Sequence, residues 1–261
     1  MLYLTHGSHR NPPPVMTKRP LNIAHRGASG HAPENTMAAF RLAVEQGADW
    51  IELDVHQTAD GHLVVLHDLT LKRTAGDPSP VQTLTLKQIK KFDVGLWWDK
   101  AHRGERVPTL DEVLAFAEGR IRVQIELKHG SSLYPGIEKR LIEIIARHRA
   151  ENRTAVSSFE TEALKTLREL DDKIPLGLLT RKTRPRDILE EAESLKVRSI
   201  HISTRRLSKD LLTQAHLNDL PLYAYTVNRP SLMKRYLAMG ADGLFTNFPD
   251  RLREILHSAR P

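Results

Sequence analysis

From Leu21 onward one pattern recurs eight times: a short apolar run, then an amphipathic stretch. The apolar runs are Asn22–His25, Trp50–Val55, Val123–Leu127, Thr154–Ser157, Pro175–Leu179, Ser199–Ile202, Leu222–Thr226 and Gly243–Thr246. The amphipathic stretches are Thr36–Gln46, Thr109–Ala117, Ile137–Arg149, Glu160–Leu170, Arg186–Leu195, Lys209–Leu217, Ser231–Ala238 and Arg251–His257. Their apolar residues stand three and four apart, as in Leu141, Ile144 and Ile145, which is the period of one helix face. Strands separated by helices pair in parallel, and eight such units close into a (β/α)8 TIM barrel. Asn35 or Thr36 is placed to cap the first helix, and Gly47 and Gly240 stand where helices should stop.

The second unit departs from the pattern, with about fifty residues between its strand and its helix, a length that in a compact domain usually serves function. Asp60-Gly61 reads as the turn joining Leu53–Thr58 to His62–His67 in a hairpin. A short helix near Leu86–Phe92 and the segment Val94–Trp98 follow. Residues of about 68–107 are therefore expected to form a small inserted subdomain after strand two, over the mouth of the barrel. No shift of composition divides the rest, so 21–261 reads as one domain. Residues 1–20, with Pro12-Pro13-Pro14, read as a flexible lead-in. In it Met16 is a second candidate start, and His6 and His9 read as solvated side chains.

Composition removes several classes of function. There is no cysteine, which excludes thiol nucleophiles, disulfide scaffolds and thiolate metal sites. No apolar run approaches the roughly 18 residues of a spanning helix, and no signal-peptide stretch opens the chain. The expected location is cytoplasmic. Lys and Arg outnumber Asp and Glu by 39 to 32, a net charge of +7 that suits an anionic ligand. Those cations are spread along the chain, and aromatic residues make up only 5%, so a specific nucleic-acid surface is not expected. Oligomeric state is not legible.

In a barrel of this kind the chemistry belongs at the C-terminal strand ends, and the unusual residues fall there. Strand one ends in Ala24-His25-Arg26-Gly27. Glu52 and Asp54 lie two apart on strand two, as Glu126 and Lys128 do on strand three, so each pair projects from one face. Carboxylates among Ile, Leu and Val need a neutralising cation. Arg26 and Lys128 could supply it as a structural network. Three acids from two strands favour a hard, all-oxygen site for Mg²⁺, Ca²⁺ or Mn²⁺. With one divalent ion, Arg26 and Lys128, such a site keeps one positive charge and attracts a phosphodiester anion. His25 ends strand one and His67 ends the return strand Val64-Val65-Leu66, and both are candidates for acid–base chemistry near neutral pH.

Taken together, these segments resemble the glycerophosphodiester phosphodiesterase family. The matching stretches are Ala24–Gly30, Pro33–Thr36, Glu52–Val55, Thr58–Gly61, Val64–Asp68, Arg73-Thr74, Val107–Leu110, Glu126–Lys128, Tyr225–Asn228 and Gly240–Gly243. They occur in the family's order across residues 21–257. The resemblance implies a metal-dependent hydrolase that cuts small-molecule glycerophosphodiesters into sn-glycerol 3-phosphate and an alcohol. Its acid–base pair maps to His25, as base, and His67, as acid. Its metal ligands map to Glu52, Asp54 and Glu126, and its phosphate contacts to Arg26 and Lys128. Glu34 is then expected to support Arg26, and Tyr225 to wall the substrate.

Two positions depart from the family pattern: Tyr225 replaces a common Trp, and Asn247 replaces an Asp after the last strand's Thr. The first is expected to bear on substrate preference. The second is expected to alter helix-end or polar-network contacts rather than catalysis. Phe159 and Trp97 or Trp98 are candidates to wall off the alcohol. His56 continues the inward alternation of strand two and reads as a supporting donor. His201 ends strand six and is a candidate for the site or for the core. His31, His62, His102, His129, His148, His216 and His257 read as surface or core residues. A lysophospholipase D-type enzyme would need an apolar rim, which the sequence does not display. A non-catalytic phosphate-ester binder would lack a histidine or an acid, and none is missing.

Overall fold

Eight parallel strands close on themselves in the computed structural model, which describes residues 19–258. The chain opens with β1 (Leu21–His25), α1 (Met37–Glu45) and β2 (Trp50–Gln57). Next come β3 (Leu63–Val65), β4 (Thr70–Leu71), α2 (Lys72–Ala75), β5 (Asp77–Pro80) and α3 (Leu86–Ile89), then α4 (Leu110–Ala117). The repeats resume with β6 (Arg122–Leu127), α5 (Gly130–Leu133), α6 (Ile137–Arg147), β7 (Thr154–Ser158) and α7 (Thr161–Leu170). They finish with β8 (Leu176–Thr180), α8 (Pro185–Ser194), β9 (Ser199–Ser203), α9 (Lys209–Leu217), β10 (Leu222–Tyr225), α10 (Pro230–Met239), β11 (Gly243–Thr246) and α11 (Pro249–Ser258). The order β1-β11-β10-β9-β8-β7-β6-β2, with β1 also pairing β2, is the expected closed barrel. The readings made for Met16, His6 and His9 lie outside the described residues.

Alternation along each strand sorts the side chains. Ile51, Leu53 and Val55 of β2, and Val123, Ile125 and Leu127 of β6, join the main apolar cluster with the helices. Each fully buried Ile or Leu there contributes about 1.5–3 kcal/mol relative to exposure. The intervening residues Glu52, Asp54, Gln124 and Glu126 are left to the barrel interior. That interior is polar towards its C-terminal end, where the site lies.

Local signals set the helix ends. The Thr36 side chain accepts from the Ala39 amide at 3.3 Å, so Thr36 rather than Asn35 caps α1. Thr109 and Glu112 form a capping box at α4. Gly240, at φ 102°, ends α10 as expected. The turn after β1 puts Arg26 at φ 57° and Gly27 at φ 79°. A Cβ on Gly27 would stand 2.7 Å from the Ala39 backbone, so the turn packs on α1 only with glycine there.

The hairpin at Asp60-Gly61 forms: β3 runs antiparallel to β2, with Val55 opposite Val65 and Gln57 opposite Leu63. The segment that follows has its own small core of Val64, Leu66, Leu71, Val81, Ile89, Val94 and Val107. It includes the β4–β5 pair, which carries Pro78 and Pro80 and so lacked a strand signal. The Asp93 carboxylate accepts from the Gly95, Leu96 and Gly104 amides at 2.8–3.0 Å, which shapes the loop bearing Trp97 and Trp98.

Candidate active site

The ends of β1, β2 and β6 bring His25, Arg26, Glu52, Glu126 and Lys128 to one cavity of about 200 Å³. His67, Ser157, Phe159, Leu179, His201, Tyr225, Thr226 and Phe245 complete its lining. Each of Glu52, Asp54 and Glu126 offers one oxygen, and these oxygens lie within 4.8 Å of one another. Glu52 and Asp54 are 3% and 1% exposed, so their charges are held with little help from water.

Cations answer part of that charge. Lys128 Nζ lies 3.0 Å from Asp54 Oδ1 and also bridges Glu126. Arg26 Nε lies 3.4 Å from Asp54 Oδ2, and the Asn35 amide donates to the same oxygen at 2.9 Å. Burial alone would raise the Asp54 carboxyl, but Lys128 and Arg26 pull it below the usual carboxylate range. Among the described residues Glu52 receives only the Arg26 backbone N–H, at 2.9 Å. Burial, Asp54 and Glu126 push Glu52 well above its ordinary value, and burial with Asp54 also raises Glu126. The structural-network expectation is thus half of what is present. Lys128 and Arg26 do pair with the acids, and the cluster still carries more negative charge than two shared cations offset. An all-carboxylate donor set short of positive charge fits a hard divalent ion.

Each candidate histidine has one ring nitrogen engaged. His25 Nδ1 donates to Asn247 Oδ1 at 2.8 Å, which leaves Nε2 as the acceptor. Burial, then Arg26, lowers His25 to about 4, so its ring is neutral at pH 7. His67 Nδ1 donates to Asp68 Oδ1 at 2.7 Å. Burial lowers the His67 value, Asp54 raises it, Arg26 and Lys128 lower it further, and Asp68 opposes them. A phosphodiester anion on Arg26 and Lys128 would cancel their effect and return His67 towards its protonated form.

Asp68 belongs to a longer chain of charges. Arg73 of α2 donates from Nε to Asp68 Oδ2 at 2.8 Å and from both terminal nitrogens to Glu34 at 2.8 and 2.9 Å. Arg26 Nη1 donates to Glu34 Oε1 at 3.0 Å. Glu34 therefore touches Arg26 and also ties the inserted segment to the β1 turn. Burial would raise its carboxyl, but Arg73 and Arg26 hold it down.

Several readings need correction. Of the two contacts expected for Asn247, helix end or polar network, the structure shows the polar network, and through strand closure Asn247 reaches His25 itself. Its own amide N–H donates to Asn228 Oδ1 at 2.9 Å, which orients it. Phe159 lines the cavity and neither Trp97 nor Trp98 does. Those two indoles stand edge to face, with Arg73 5.6 Å above Trp97. With Leu69 and Leu96 they are 38–43% exposed, so the segment that carries the Asp68–Arg73 pair also carries exposed apolar side chains. His56 is fully buried: Nε2 donates to the His67 carbonyl at 3.1 Å, and Nδ1 accepts from the Tyr134 hydroxyl at 2.7 Å. His201 lies in the cavity floor, against Tyr223 and Phe245. His129 lines a lobe that adjoins the cavity.

Among the described residues no helix is long and apolar enough to cross a membrane. Residues 25–251 match the model of the Glycerophosphoryl diester phosphodiesterase family. A glycerophosphodiester phosphodiesterase of Caldanaerobacter subterraneus subsp. tengcongensis is 40% identical over 235 residues, 89% of this chain and 96% of the relative. An Oleispira antarctica phosphodiesterase, solved with the product sn-glycerol-3-phosphate, superposes with a TM-score of 0.86. It is 29% identical, and the match covers 90% of this chain and 96% of that one. The glycerophosphodiester phosphodiesterase of Agrobacterium tumefaciens gives 0.78 at 28% identity, over 89% and 98%. With its barrel, its strand-end acids and this match over most of its length, the chain belongs to the glycerophosphoryl diester phosphodiesterase family.

Proposed function

We propose that the protein hydrolyses glycerophosphodiesters to sn-glycerol 3-phosphate and a free alcohol, with His25 as general base and His67 as general acid. The observation that carries this reading is the unlike pairing of the two imidazoles in one cavity. A neutral amide faces His25 and a carboxylate faces His67. The first leaves a lone pair on Nε2. The second stabilises an imidazolium that can give up a proton.

Glu52, Asp54 and Glu126 would hold one divalent ion, which when bound supplies Lewis-acid polarisation of a phosphoryl oxygen. Arg26 and Lys128 bind the phosphodiester anion, Arg26 with its planar fork and Lys128 as a point charge. The attacking hydroxyl, from water or from the substrate's own glycerol, gives its proton to His25 Nε2 as its oxygen bonds phosphorus. The bond from phosphorus to the alcohol oxygen breaks, and that oxygen takes the His67 proton. On the glycerol route the product is a cyclic diester, which water opens by the same exchange in reverse. Asn247 and Asp68 keep each ring in the tautomer its role needs.

Release of glycerol 3-phosphate from glycerophosphocholine tests the reading. Mg²⁺, Ca²⁺ or Mn²⁺ should support it, EDTA should stop it, and His25→Ala and His67→Ala should each lower kcat at least about 100-fold. Undiminished turnover in either variant would remove that histidine from the mechanism. A lysophospholipid substrate is a second reading, favoured by the exposed Leu69, Leu96, Trp97 and Trp98. It requires lysophosphatidylcholine to be cut faster than glycerophosphocholine, with the advantage lost in Trp97→Ala.

A further inference from the structure

Beyond the catalytic cavity lies a lobe of about 290 Å³ lined by His67, Glu126 and Lys128. His129, Phe159, Glu160 and Arg181 also line it. The two spaces share His67, Glu126, Lys128 and Phe159 in their walls, so they adjoin. In the hydrolase reading, on which this step rests, His67 protonates the alcohol as it departs. The lobe that His67 also lines is the space next to that departing alcohol.

Arg181 is the unusual member of this wall. Its guanidinium carbon is 4.2 Å from the centroid of the Phe159 ring, and that ring stands edge-on to Tyr225 at 6.3 Å. A guanidinium over an aromatic face can keep its N–H donors available to a ligand. Neighbouring cations on the same loop are satisfied: Lys182 bridges Glu191 at 3.3 Å and Arg184 bridges Asp187 at 2.8 Å. Arg181 has no carboxylate or carbonyl partner among the described residues, and neither does Glu160 a cation. Lys128 and Glu126 already pair with each other. The lobe thus offers one unpaired planar cation at its aromatic wall and one unpaired carboxylate at its edge.

We propose that this lobe is the leaving-alcohol subsite and that Arg181 receives an anion carried by the alcohol, a carboxylate or a phosphate. Glu160 adds a place for an ammonium, so an alcohol with both charges, such as serine, meets both groups. The Phe159 face supports a planar guanidinium at the lobe, which a flexible lysine would not match.

The test compares kcat/KM for four diesters whose alcohols are serine, glycerol 3-phosphate, choline and glycerol. The serine and glycerol 3-phosphate diesters distinguish a carboxylate from a phosphate as the favoured anion. The wild type should prefer one of these over the choline diester. In Arg181→Gln the ratio of anion-bearing to choline diester should fall at least about tenfold, carried by KM, and in Arg181→Lys it should fall less. Phe159→Leu should lower the same ratio in the same direction. Equal losses on all four diesters, or an unchanged ratio, would overturn the subsite and leave the hydrolase reading standing. A wild type inert towards all four would overturn both.

Discussion

Replacing Asn247 with Asp exchanges a neutral acceptor for a charged one on His25 Nδ1, 2.8 Å away. In the wild type, burial and Arg26 hold His25 to about 4, so the ring stays deprotonated well into acid. A carboxylate in hydrogen-bond contact stabilises the imidazolium and raises such a group by about one to three pH units. The sign follows directly: a higher value keeps His25 protonated to higher pH, and a protonated base cannot accept. The acidic limb of kcat/KM in Asn247→Asp should therefore move up by about one to three pH units. Asn247→Ala should instead lose the tautomer lock, worth about 0.5–1.5 kcal/mol, or about two- to tenfold in kcat. Its limb should stay near the wild-type position. The assay is glycerol 3-phosphate release from glycerophosphocholine at saturating divalent ion between pH 4 and 9. An Asn247→Asp enzyme that folds and turns over with an unmoved acidic limb would refute the assignment of that limb to His25.

Three further outcomes are expected. Glu52→Gln should abolish the response of activity to added Mg²⁺, Ca²⁺ or Mn²⁺ and cost at least about 100-fold in kcat/KM; a metal titration that still saturates would count against that ligand. Arg73→Met cuts the ties to Glu34 and Asp68 at a side chain 40% exposed, so its cost should be modest, about 1 kcal/mol by urea unfolding. Its kcat should fall more than its KM changes, because Asp68 loses the group that orients it. His56 and His201, both fully buried, are lowered by burial from 6.5 to about 4 and about 3. The unfolded chain binds their protons first, so stability present above pH 6.5 is lost as pH falls towards those folded values. The loss is about 1.4 kcal/mol per pH unit for each. His201→Gln should lower the slope between pH 6.5 and 5 by up to about 1.4 kcal/mol per pH unit, read from urea midpoints, and an unchanged slope would show that His201 does not contribute.

How much of this was legible depends on how far apart in sequence the interacting groups lie. Glu52 and Asp54 stand on one face because strand alternation has a period of two, and a carboxylate among Ile, Leu and Val is conspicuous in any reading. The hairpin at Asp60-Gly61 was equally local. The β4–β5 pair was not, because Pro78 and Pro80 suppress the strand signal while still fitting an edge. Asp68 adjoins His67, yet nothing local shows that its carboxylate folds back on Nδ1. That orientation rests on Arg73, whose own grip on Glu34 spans 39 residues. Asn247 is the clearest case. It lies 222 residues from His25, and the two meet because β1 closes against β11 with Ala24 opposite Thr246. A neutral amide placed there leaves catalysis possible but changes which charge state of His25 is favoured. Motif residues report what each strand end carries. Closure of the barrel decides which ends face one another, and so which nitrogen of His25 holds the proton.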